Sequence, residues 1–129
     1  MSKMVPYHEP SIIFAKEMTR DLKTPLEKYL KITNYITRTI RYDYVRAVTI
    51  PKKNGIPDVK RTWETKTGIC LDTAALTTGM LRAVGINARM CFGRADKQNH
   101  AWVEADILGK KYRYDHDGKA KVYKVERTF

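Results

Sequence analysis

Cys70 stands in "TGICLDTAALTTGMLRAVGINAR", two residues after Gly68 and at the start of a run that reads as a helix. Thirty residues further on, His100 opens "HAWVEADILGKKYRYDHD", a stretch that also carries Asp115. A cysteine at a helix N-terminus sits at the positive end of the helix dipole, which favours thiolate over thiol. A histidine beside it would pair with that thiolate and later protonate a leaving group. A carboxylate on the far side of the histidine would fix its tautomer and orientation. The backbone N–H of Cys70, unsatisfied in a first helical turn, can donate to an oxyanion. These are the parts of acyl transfer from an amide or ester. A lone cysteine before a helix is more often a packed residue than a nucleophile, so residue types alone leave both readings open.

Spacing supplies the next constraint. With a two-residue turn at Leu108-Gly109, paired residues in the surrounding hairpin have numbers summing to 217, which sets Asp115 opposite Trp102. His100 lies two residues from Trp102 and so points to the same face. Diagonal neighbours of this kind are about 7–8 Å apart by Cα, within reach of a His–Asp contact. Leu is a poor first residue for a tight primed turn, and a bulged turn would move this register.

These side chains need elements to hold them. "EPSIIFAKEMTRDL" reads as a helix with Pro10 near its start. Thr24, Pro25 and Glu27 make a capping box for a second helix, whose stripe is Tyr29, Ile32, Ile36 and Ile40, ending near "IRYDY". Arg46 to Asp58, with two prolines, Asn54-Gly55 and paired lysines, reads as an exposed loop with room for a short hairpin. Asp58 is placed to cap a short turn carrying Val59 and Trp63. The segment after Cys70 is apolar on all sides, as in a central buried helix, and Gly85 suits its C-terminal cap. From Ile86 the period becomes two: Ile86, Ala88, Met90 and Phe92 alternate with Asn87, Arg89, Cys91 and Gly93. "HAWVEADI", "KYRYDHD" and "KVYKVERTF" alternate similarly. The expectation is one α+β domain over residues 1–129, helical to about residue 61, with the chemistry in about 62–129.

The bulk numbers set limits. The chain has 129 residues, 43% hydrophobic and 30% charged, the size of one domain with one core. No apolar run approaches the roughly 20 residues that span a bilayer. The start, "MSKMVPYHEP", holds no apolar signal-peptide core, yet the chain can equally be a domain excised from a longer secreted or cell-surface bacterial protein. Two cysteines make no disulfide framework, and both are read as free thiols, Cys91 a passive one. The net charge of +11 fits an anionic partner such as nucleic acid, cell wall or acidic lipid, but a solvated lysine surface is the commoner reason for such a charge. No basic-aromatic or helix-turn-helix pattern supports nucleic-acid binding beyond the charge.

The two stretches together resemble the core of the transglutaminase-like superfamily, a branch of the papain-like cysteine enzymes. The matching positions are Gly68, Cys70 and Asp72; Leu81, Arg82, Ala83, Gly85 and Ile86; Ala88, Arg89 and Gly93; His100, Ala101, Trp102, Val103 and Glu104; and Asp115. They span about Thr62 to Asp117 in the family's order. The hairpin turn departs from the pattern, since family members usually turn on Asp-Gly or Asn-Gly. The resemblance implies a papain-like α+β fold: N-terminal helices, and a central helix bearing the Cys packed on an antiparallel sheet of three or four strands. It implies a Cys70–His100–Asp115 triad acting through a thioester, without cofactor or metal, on a peptide or protein; the basic surface would suit an anionic or cell-wall-associated one. His116, between Asp115 and Asp117, has no Cys/His ligand spacing around it. A second oxyanion donor is expected from an upstream aromatic, Tyr44 or alternatively Trp63, and Trp102 is expected to wall the cleft. The resemblance favours a small cysteine peptidase or amidase; a monomer is taken only as the default, since the sequence carries no signal of oligomeric state. A protein-crosslinking transglutaminase and a non-catalytic module of the same fold are the alternatives.

Overall fold

The computed structural model describes residues 3–49 and 55–129. Its elements in chain order are α1 (Glu9–Met18), α2 (Pro25–Thr39), β1 (Arg41–Tyr42), α3 (Tyr44–Thr49), α4 (Val59–Thr65), β2 (Thr67–Gly68) and α5 (Cys70–Ala83). Four strands follow: β3 (Asn87–Ala95), β4 (Gln98–Ile107), β5 (Lys110–Tyr114) and β6 (Tyr123–Thr128). They form an antiparallel sheet in the order β5-β4-β3-β6. The fold is α+β, with the helices packed around α5 and α5 packed on the sheet.

Local chemistry explains most boundaries. Thr24 caps α2 by accepting from the Glu27 N–H at 3.2 Å, and Glu27 accepts from the Thr24 N–H at 3.1 Å. Tyr29, Ile32 and Ile36 are then buried along one face. Asp58 caps α4 as expected, accepting from the Arg61 N–H at 3.0 Å. α1 starts differently: His8, not anticipated as a cap, accepts from the Ser11 N–H through its ring, and Pro10 occupies the first turn. α5 buries ten of its residues, from Leu71 to Leu81, so almost its whole surface is interior. Gly85 follows it at φ +87°, the left-handed geometry that ends a helix.

The β4–β5 register runs Val103↔Tyr114 through Ile107↔Lys110, each pair summing to 217. Leu108 and Gly109 make the turn with φ of +50° and +82°, so the leucine tolerates a conformation in which its Cβ is crowded. Ala101, Val103, Ala105 and Ile107 join the α5 side chains in one core. Trp102, pointing the other way, is equally buried.

α2 ends at Thr39, beside "IRYDY" as expected, and the residues after Ile40 form an unanticipated β1, which pairs in parallel with β2 (Arg41↔Thr67, Tyr42↔Gly68). Two expectations change. The expected loop begins as helix: Asp43 caps the Arg46 N–H at 3.0 Å, and α3 runs to Thr49. The hairpin suggested at Asn54-Gly55 involves residues outside the described ones. On β3 the alternation breaks after Met90: Met90 and Cys91 are both buried, and the pairing with β6 carries a bulge between Phe92 and Gly93. Cys91 is fully buried rather than on an open face, and burial pushes its thiol up to about 12. Among the described residues no helix is long and apolar enough to cross a membrane.

Candidate active site

Cys70 is the first residue of α5 and opens into a cavity of about 720 Å³. The start of that helix is held by Asp72, whose buried carboxylate accepts from the Ile69 N–H at 3.0 Å and from the Asp58 N–H at 2.9 Å. Arg46 completes the arrangement with two bonds to Asp72, Nε at 2.7 Å and Nη2 at 2.9 Å. Asp72 therefore ties α3, the cap of α4 and the N-terminus of α5 to one point.

His100 faces Cys70 across the cavity, from β4. Its Nε2–H donates to both oxygens of Asp115 at 2.9 Å. That leaves Nδ1 as the ring nitrogen free to serve Cys70, which lines the same cavity. Burial works against a charged ring here, but the bonds to Asp115 and the nearness of Asp115 and the Cys70 sulfur outweigh it, raising His100 to about 10. Burial likewise pushes the Asp115 carboxyl up, and the bonds from His100 and Tyr123 overcome it, holding the group below 3.8. The arrangement places the imidazole on a carboxylate, in the cavity that Cys70 also lines. The hairpin register, local in sequence, is what brings His100 and Asp115 together.

Several neighbours differ from expectation. Trp102 does not line the cavity; it is 1% exposed and lies behind His100, the rings stacked at 6.2 Å. Trp63 is also outside the cleft, packed on Phe14 at 5.2 Å and Tyr35 at 6.2 Å, so it has no path to a bound carbonyl. Tyr44 does line the cavity, but it is 77% exposed. Tyr42, which sequence reasoning passed over, sits deeper. Its pairing with Gly68 sets it beside the Cys70 turn, with its ring edge-on to Tyr44 at 4.9 Å. Burial raises its hydroxyl, and the nearby Cys70 charge raises it further, so it stays a donor.

Tyr123 was missed as well. From β6 its hydroxyl donates to Asp115 Oδ2 at 2.6 Å, its ring meets Trp102 edge-on at 4.9 Å, and the Arg113 guanidinium covers it at 3.9 Å. No sequence signal could have named it, since nothing local links Tyr123 to Asp115. Among the described residues, no group of three or more His, Cys, Asp and Glu side chains is placed to hold a metal ion.

A family model of the transglutaminase-like superfamily matches residues 13–119 of this chain. The chain belongs to the transglutaminase-like superfamily. Solved structures share its fold. A candidate cysteine protease from Cytophaga hutchinsonii is 24% identical, with a TM-score of 0.73 over 92% of this chain and 40% of its own. A candidate protease from Parabacteroides distasonis is 20% identical, with a TM-score of 0.65 over 82% of this chain and 23% of its own. A structure described as a TGase is 15% identical, with a TM-score of 0.65 over 92% of this chain and 32% of its own. The chain thus spans less than half the length of these relatives. No curated protein matches it. The family model shows the superfamily, and the solved structures share the fold.

Proposed function

We propose that the protein is a cysteine-dependent acyl transferase acting on amide bonds, with water as the acceptor: a small peptidase or amidase. The observation that carries this reading is His100, bonded to a buried Asp115 and lining one open cavity with Cys70 at a helix N-terminus.

Each residue then has a step. The Cys70 sulfur, paired with the His100 imidazolium, attacks the carbonyl carbon and forms the C–S bond. The oxygen gains the negative charge and faces the Cys70 N–H, with the Tyr42 hydroxyl as the second donor in place of Tyr44 or Trp63. As the C–N bond breaks, His100 gives its proton to the departing amine. The thioester is then attacked by water, whose proton His100 takes. Collapse of the second intermediate releases the acid and restores the thiolate–imidazolium pair. Asp115 and Tyr123 hold the ring in place throughout.

Iodoacetamide alkylation at pH 6.5, in a Cys91→Ser background, tests the nucleophile. A thiol of ordinary acidity is about 1% ionised there. Loss of the pair in His100→Ala should therefore slow alkylation by roughly tenfold or more, after allowing for the weaker nucleophilicity of a stabilised thiolate. An unchanged rate would sink the triad. The acceptor is read by offering a glutamine peptide with a labelled primary amine. Ammonia release without label on the peptide is expected; label incorporation would make the protein a crosslinking transglutaminase instead.

A further inference from the structure

α3 has a composition that its surroundings do not explain. It contains Tyr44, Val45, Ala47 and Val48, yet none of its residues is buried. Val45 is 73% exposed and Val48 84%. The helix adds nothing to the core. Polar contacts hold it: the Asp43 cap, the two Arg46–Asp72 bonds, and Arg46 Nη2 on the Ile56 carbonyl at 3.3 Å. Six residues are far too few for a helix to persist on propensity alone. An apolar face held outward by a buried ion pair conflicts with every core-forming rule, and such conflicts concentrate where a surface meets a ligand.

The face is continuous with the cavity. Tyr44 and Ala47 line it alongside Tyr42 and Cys70. Val48 lies four residues after Tyr44 and so extends the same helix face by one turn. The cavity lining also includes Phe92 from β3, Gln98 and Asn99 at the start of β4, and Asp117 from the β5–β6 loop.

We propose that Tyr42, Tyr44, Ala47 and Val48 form a ledge that docks an aliphatic or aromatic side chain of a polypeptide substrate, next to the bond that Cys70 attacks. This rests on Cys70 as the nucleophile and names the substrate class for that site. An extended chain can lie along the ledge and enter the cavity. A folded partner seated there would instead cover its mouth.

The test uses the full chain with Cys91→Ser and compares three Cys70 alkylating probes: iodoacetamide, iodoacetanilide with its phenyl group, and iodoacetylglycine with its carboxylate. Each rate is divided by that of glutathione with the same probe. Docking of the phenyl ring should accelerate iodoacetanilide over iodoacetamide by about tenfold, with no gain for iodoacetylglycine. Tyr44→Ser with Val48→Ser should bring that ratio down to the glutathione value; both side chains are exposed, so the core is untouched. Val122→Ser, also exposed but outside the cavity, should keep the ratio. A parent ratio equal to that of glutathione, or a ratio that survives the double substitution, overturns the ledge. Conversion of a dimer to a monomer by Val48→Ser, seen by light scattering, also overturns it, because the face would then be a self-association surface. The nucleophile reading fails separately, through an iodoacetamide rate indifferent to His100→Ala, while the probe ratio still decides the ledge.

Discussion

Arg46→Ala should destabilise the protein by about 3 kcal/mol. The carboxylate of Asp72 is wholly buried and Arg46 is 12% exposed, so water screens this pair little. Asp72 has four bonds: two from the guanidinium, one from the Asp58 N–H and one from the Ile69 N–H. Removing one partner of a buried pair costs about 3–5 kcal/mol, because the other charge is left uncompensated. Two backbone donors and the positive end of the α5 dipole would remain, which places the expectation at the lower end of that range. Urea unfolding followed by the fluorescence of Trp63 and Trp102 measures the loss, as a fall in midpoint of about 1–3 M at an unchanged slope. Arg46→Lys keeps the charge but not the fork, and should recover part of it. In a double-mutant cycle of Arg46→Met and Asp72→Asn, the two losses should overlap by about 2 kcal/mol. A loss below about 1 kcal/mol for Arg46→Ala, with additive singles, would refute the reasoning, since Asp72 would then not depend on Arg46.

Other outcomes are equally open to measurement. The His100 ring, followed by NMR, should titrate far above 6.5, and its midpoint should fall by at least about one unit in Asp115→Asn or Cys70→Ala, where a cause of the shift is gone. Because the folded value is raised, His100 contributes its stability fully below 6.5 and loses it as pH rises through about 10. Asp115, lowered, contributes above 3.8 and loses it as pH falls below that; the stability gap between parent and His100→Ala should therefore narrow towards alkaline pH. Leu108→Asn should stabilise the protein by about 1 kcal/mol in urea, since Asn tolerates the left-handed turn better than Leu. Gly93→Ala should cost at least about 1–3 kcal/mol, because a methyl there collides with the Lys124 carbonyl and presses on the Glu126 N–H at 2.9 Å, pushing β6 and Tyr123 away.

What the sequence by itself determined is what repeats at short range. The Thr24–Glu27 box, the Asp58 cap, the apolar girth of α5 and the β4–β5 register all depend on residues within a few positions of each other or across one tight turn. The His100–Asp115 contact belongs to this group, since an antiparallel hairpin converts residue numbers directly into neighbours. Tertiary structure alone decided the rest. Tyr42 reaches the Cys70 turn through a parallel pairing of β1 with β2, across a loop no periodicity describes. Tyr123 finds Asp115 because β6 adds to the far edge of the sheet, and Cys91 is buried on a face that alternation left open. α3 forms because Arg46 meets a carboxylate 26 residues away. In each case the partner is chosen by long-range packing, whose loop-closure cost and final geometry leave no local trace in the chain.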